Sequence, residues 1–151
     1  MSEMLGNHYF QLRDFVLAER TYERLSQNQL SDLSIIKKLI ICYTQTYNLD
    51  KALELLLLLI KKDINTILNS NLKEDDCPCN DLIFQIENGK IKYPSDQETY
   101  ISLGILWLYC NHTTSTNYFQ MALNENPENK NLIKVITFLK NLSNQNILQS
   151  N

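Results

Sequence analysis

Turn-forming residues are scarce in this chain: 151 residues contain three glycines and three prolines. A protein of many short strands needs far more, so the composition points to helices. Basic excess is missing too. Fourteen Lys and Arg face seventeen Asp and Glu, for a formal net charge of -3. Nothing there draws in a phosphate backbone over a broad surface, which argues against a nucleic-acid partner. No long apolar run occurs. The aliphatic stretch Leu55 to Ile60 stops at Lys61-Lys62, whereas a membrane span needs about 20 residues. It is read as a core helix, and no membrane partner is expected. The opening "MSEMLGNHYFQLRD" has no basic and apolar halves of a secretory signal, so the expected compartment is the cytoplasm. The four cysteines are then expected to be reduced thiols. There is no Gly-rich phosphate loop, no G-x-S-x-G and no H-E-x-x-H. His8 and His112 stand without a nucleophile or an orienting carboxylate in their surroundings. The chain is therefore read as non-catalytic and without a cofactor.

What is present is ordinary soluble material, 44% apolar and 21% charged, long enough for one domain with a core. Its apolar residues also recur. Leu5, Tyr9 and Ala18 come back 34 residues later as Leu39, Tyr43 and Ala52. A third copy reads Leu103, Gly104, Trp107, Phe119, Ala122 and Pro127.

These residues resemble the tetratricopeptide repeat family, whose unit carries W-x2-L-G-x2-Y, then A-x3-F, then A and P. The first copy supplies Leu5, Gly6, Tyr9, Phe15, Ala18, Tyr22 and Leu25. The second supplies Leu39, Ile40, Tyr43, Ala52, Leu56 and Leu59. The resemblance implies an all-α fold, a tetratricopeptide-like right-handed α-solenoid of antiparallel helix pairs. A small residue at each crossing lets helices approach to about 8–10 Å. Gly6 and Gly104 suit that place on first helices, and Ala18, Ala52 and Ser115 on second ones. Pro127 cannot extend a helix and ends a unit.

One helical repeat domain is expected over 1–143, with clear repeats over 1–32, 33–66 and 97–129. Residues 67–96 are irregular, either an eroded repeat or an insertion. A long helix from Leu49 to Asn69, a loop through Cys79 and a short helix over 80–88 are expected there. Leu82 takes a small-residue place and would push the packing apart. Ser95-Asp-Gln-Glu98 fits a capping box. A capping helix over 130–142 should cover the last repeat face, leaving 144–151 as a mobile tail.

By the resemblance, first helices line a concave groove that holds a peptide segment or a partner protein. Its walls here would be Asn7, Phe10 and Gln11, then Lys37, Lys38, Ile41 and Gln45, then Ser102, Ile105 and Tyr109. The apolar members are anchors, and the two lysines select an acidic residue. The subclass that clamps C-terminal carboxylates is not matched. Its positions fall on Glu3, Asn7, Lys38, Glu98 and Ser102, of which only Asn7 agrees.

A competing reading starts from Cys77-Pro78-Cys79, two soft ligands in the polar stretch "KEDDCPCND", and makes the chain metal- or thiol-responsive. No second ligand pair has zinc spacing, so Cys77 and Cys79 are weak metal candidates. A third reading is homo-oligomerisation through exposed apolar repeat ends.

Overall fold

The computed structural model describes residues 3–28, 32–68 and 77–149. Its described residues are all-α. The helices are α1 (Glu3–Gln11), α2 (Phe15–Asn28), α3 (Leu33–Gln45), α4 (Leu49–Asp63), α5 (Asn65–Leu68), α6 (Cys79–Glu87), α7 (Asp96–Leu108), α8 (His112–Glu125) and α9 (Lys130–Gln149). Leu39 to Tyr43 is helix, as the periodicity requires.

Helix starts follow from side chains that satisfy free backbone N–H groups. Asp32 Oδ1 accepts from the N–H of Ser34 at 3.0 Å, opening α3. Asn111 Oδ1 does the same for Thr113 and Thr114 at α8. Ser95 Oγ accepts from Glu98 N–H at 3.2 Å at α7. That half of the expected capping box is made. The other contact differs: Ser95 Oγ donates to Glu98 Oε2 at 3.1 Å.

The turns α1–α2 and α3–α4 repeat each other in detail. Arg13 (φ 62°) and Tyr47 (φ 65°) both adopt the left-handed conformation, and they are 34 residues apart. In each turn the next N–H reaches back to the carbonyl of a first-helix tyrosine, Asp14 to Tyr9 at 2.9 Å and Asn48 to Tyr43 at 3.0 Å. This is the Schellman way of closing a helix. The α7–α8 turn is different, because Tyr109 stays right-handed and Cys110 and Asn111 both donate to Trp107 O.

Small residues mark the crossings. Ala18, Ala52, Ala122 and Ser115 are fully buried. A Cβ on Gly6 would stand 2.7 Å from Tyr22 Cε1, and one on Gly104 would stand 2.6 Å from the Phe119 ring. Each glycine thus seats the aromatic ring of the facing helix. Ser115 Oγ donates to Gly104 O across the same crossing at 2.5 Å. In the second hairpin the volumes are exchanged: Ile40 replaces the glycine, Leu56 replaces the ring, and both are buried.

Beyond the hairpins the packing is not a simple sequence of neighbours. α2 packs on α3, α6 on α7, and α8 on α9, while α7 also lies against α3 and α4, and α9 returns to α4. The expected Leu49–Asn69 helix ends at Asp63 and resumes as the single turn α5, which packs on α3. α6 starts and ends close to the expected positions. Leu82 is buried in it, and Glu87 ties it to α7 and α8 by accepting from Trp107 Nε1 and Tyr118 Oη, each at 3.2 Å. The terminal helix is longer than expected. It runs through Gln149, so most of the expected mobile tail 144–151 is helical; 150–151 lie outside the described residues.

Candidate partner-binding surface

The residues expected to form one groove fall into two environments. Asn7 and Gln11 stand on the outer face of α1. With Glu3, Met4 and His8 they line an open depression of about 570 Å3. Asn7 also locks three helices together: its Oδ1 accepts from Tyr22 Oη at 2.6 Å and from Lys38 Nζ at 3.0 Å. Lys38 therefore serves a structural bond at the rim of this face. Around it, Met4 is 79% and Leu12 64% exposed.

The rest of the expected groove is closed. Phe10, Lys37, Ile41, Ser102, Ile105 and Tyr109 are all buried, so in this conformation they pack the interior and do not present a surface. Phe10 packs against Phe15 and Tyr22 inside its own hairpin, and the seating of α7 on α3 closes the remainder. Tyr109 Oη donates to Lys37 O at 2.6 Å, and Tyr93 Oη donates to Thr44 O at 2.6 Å. Gln45, half-buried, donates to Thr44 Oγ1 at 3.0 Å. Thr44 Oγ1 in turn donates to Ile41 O. Ser102 Oγ is buried without a well-formed hydrogen bond.

Burial dominates the titration of this seam. It pushes the Tyr93 hydroxyl up to about 12, with Tyr47 and Glu98 adding to the shift and the Ser102 and Gln45 side chains opposing it. Burial also raises Tyr109, which has Cys42 as a neighbour, and raises Cys42 itself beside Glu19. Tyr43 rises through burial and then through its bond to Glu23. These groups are held neutral.

The cysteine loop departs from expectation. Cys77 and Cys79 are joined as a disulfide at the start of α6, where reduced thiols had been expected. Cys42 and Cys110 are free, and Cys110 Sγ donates to Asn80 Oδ1 at 3.4 Å. Among the described residues no three His, Cys, Asp or Glu side chains are grouped to hold a metal ion. The acidic run Glu74 to Asp76 lies outside the described residues.

Sequence reasoning missed Tyr93, whose hydroxyl and ring-on-ring contact with Tyr47 at 5.2 Å help close the seam. Its only signal was a position immediately before Pro94 and the Ser95 cap. Among the described residues, no helix is long and apolar enough to cross a membrane. No family model, no curated protein and no solved structure matches this chain.

Proposed function

We propose that the chain is a tetratricopeptide-like scaffold without catalytic activity, working in the cytoplasm, that binds a partner protein on the outer face of α1. The observation that carries this is the 34-residue recurrence of one turn. Left-handed Arg13 and Tyr47, and the reach-back bonds to Tyr9 and Tyr43, superpose on the same sequence spacing as Leu5/Leu39 and Ala18/Ala52. Repeats of this kind stack to make a core and leave their surfaces for recognition. The depression around Met4, Asn7 and Gln11 is the part of the expected groove that stays open.

A photo-crosslinking amino acid placed at Met4, and separately at Gln11, should capture one common protein from a lysate of the source organism. Phe84, exposed on α6, is the control position. Equal capture from Phe84, or different proteins from Met4 and Gln11, would remove the α1 face from the proposal.

A second reading is favoured by the joined sulfurs of Cys77 and Cys79. A cytoplasm keeps thiols reduced, and a disulfide there is usually transient and sensing. Alkylation before and after dithiothreitol should then differ by two thiols, in wild type but not in Cys77→Ser. An unchanged count rejects the thiol reading.

A further inference from the structure

α9 carries Lys130, Lys134 and Lys140 and not one Asp or Glu, in a chain whose net charge is -3. Its inner stripe of Leu132, Val135, Ile136 and Leu139 is buried, spaced as a helix face must be. Ile133 and Phe138 do not join that stripe. They are 41% and 39% exposed, and with Leu57 of α4 they floor a groove of about 260 Å3 between the two helices. Thr137 adds to the apolar floor, because its hydroxyl is spent on Ile133 O at 2.8 Å. Lys61 from α4 and Lys134 from α9 line this groove, and among the described residues no acidic one does. The nearest acid in sequence, Asp63, accepts from Asn65 N–H instead.

We propose that the α4–α9 groove docks an acidic amphipathic helix of a partner protein, its apolar stripe on Phe138 and Ile133 and its carboxylates on Lys61 and Lys134. The groove is smaller than the roughly 300–1,000 Å3 typical of pockets that enclose a small molecule, and it is open along its length. It suits one or two large side chains from a helix laid over it. Two lysines fall short of the cluster of about 4–8 that holds a segment on an anionic bilayer. Two copies meeting groove to groove would set lysines against lysines, since a two-fold interface brings the same patch to itself. The surface lies on different helices from the α1 depression and does not depend on the repeat assignment.

The probe is a fluorescein-labelled synthetic peptide of about five helical turns, with leucines on one face and glutamates beside them. Anisotropy should rise saturably with protein and weaken as salt increases. Lys61→Glu with Lys134→Glu should weaken binding about tenfold or more, and Phe138→Ala should weaken it too, while both variants keep the wild-type circular dichroism and melting temperature. Lys61→Ala with Lys134→Ala gives a second route should the charge reversal fail to fold. Met4→Glu on α1 should leave the affinity unchanged. The proposal is overturned by equal binding of a shuffled peptide whose leucines share no face, or by unaltered affinity in the lysine variants. It is also overturned if Met4→Glu abolishes binding, which moves the peptide to α1. Flotation with phosphatidylserine vesicles, or self-association lost in the lysine variants, would assign the groove to a different occupant and reject this one.

Discussion

The α1–α2 and α7–α8 hairpins use the same glycine-against-ring crossing, yet one presents its outer first-helix face to solvent and the other buries it. Counting from the crossing residue shows why. One position after Gly6, Ile40 and Gly104 stand Asn7, Ile41 and Ile105; five positions after stand Gln11, Gln45 and Tyr109. The polar pair on α1 stays accessible, whereas Ile41 on α3 and Ile105 and Tyr109 on α7 are buried and Gln45 is half-buried. The turn contributes. Gly6 and Tyr22 are 16 residues apart but Gly104 and Phe119 only 15, and the right-handed Tyr109 sits on Lys37 O instead of on the outer surface. The same register therefore leaves an accessible face where it carries Asn7 and Gln11 and packs an internal seam where it carries Ile41, Ile105 and Tyr109.

The seam and the open face should respond differently to alkali, and this is the largest effect expected. Cys42, Tyr43, Tyr93 and Tyr109 are all held protonated by burial in the fold. Unfolded, such thiols and phenols ionise from roughly pH 9 to 10 upward. Above that point the native state binds more protons than the unfolded state, so stability falls as pH rises toward 12 and is flat below. Melting temperature followed from pH 8 to 12 should drop steadily past about pH 9, and Tyr93→Phe should shift the steepest part. A melting temperature independent of pH across that range would contradict the closed seam.

Overpacking comes next and tests the two kinds of crossing against each other. Gly104→Leu drives atoms into the Phe119 ring, and Ala52→Leu does so at the fully buried middle crossing; each should lose roughly 1–3 kcal/mol. Urea unfolding measures both. Gly104→Leu should be the worse, because a Cβ alone already meets the ring at 2.6 Å. Equal stability to wild type in both would undo the crossing geometry.

How far this was legible in the sequence can be read from the same residues. The hairpins were visible, since 34-residue spacing of Leu5/Leu39, Tyr9/Tyr43 and Ala18/Ala52 encodes which helix faces meet. The Ser95 cap was visible because Ser three residues before Glu is a local signal. The closing of the groove was not, because it depends on where α7 returns after the irregular stretch, and no local period records that. A hint existed all the same. Ile41, Ile105 and Tyr109 were read as anchors for a partner, although burial against their own chain satisfies such residues without one. The cysteine pairing was also illegible, because composition speaks only to the compartment.

Deleting single hydroxyls from the seam should matter less than overpacking. Tyr109→Phe leaves Lys37 O without its side-chain donor but keeps the ring, and a loss of about 1 kcal/mol is expected. Hydrogen exchange should then speed up for amides of α3 and α7 more than for those of α1. Acceleration confined to α1 would show that Tyr109 does not hold the two first helices together.

The smallest effect distinguishes the two turns that look alike. Arg13 and Tyr47 both occupy left-handed backbone, a conformation that costs a non-glycine residue roughly 1–2 kcal/mol. Glycine removes that strain but gives the unfolded chain more freedom, so the net gain for Arg13→Gly should be under about 1 kcal/mol. Arg13 also donates from Nη1 to Phe10 O at 3.2 Å, a part-buried bond whose loss takes back part of the gain. Tyr47 has more to lose. Its ring meets Tyr93 edge-on at 5.2 Å, and an aromatic pair of that kind is worth about 0.5–1.5 kcal/mol beyond the area it buries. Arg13→Gly should therefore raise or hold the urea midpoint and Tyr47→Gly should lower it, although the two backbones are the same. If both rose together, the Tyr47–Tyr93 contact would contribute nothing to closing the seam, and the bond from Tyr93 to Thr44 O would have to hold that edge unaided.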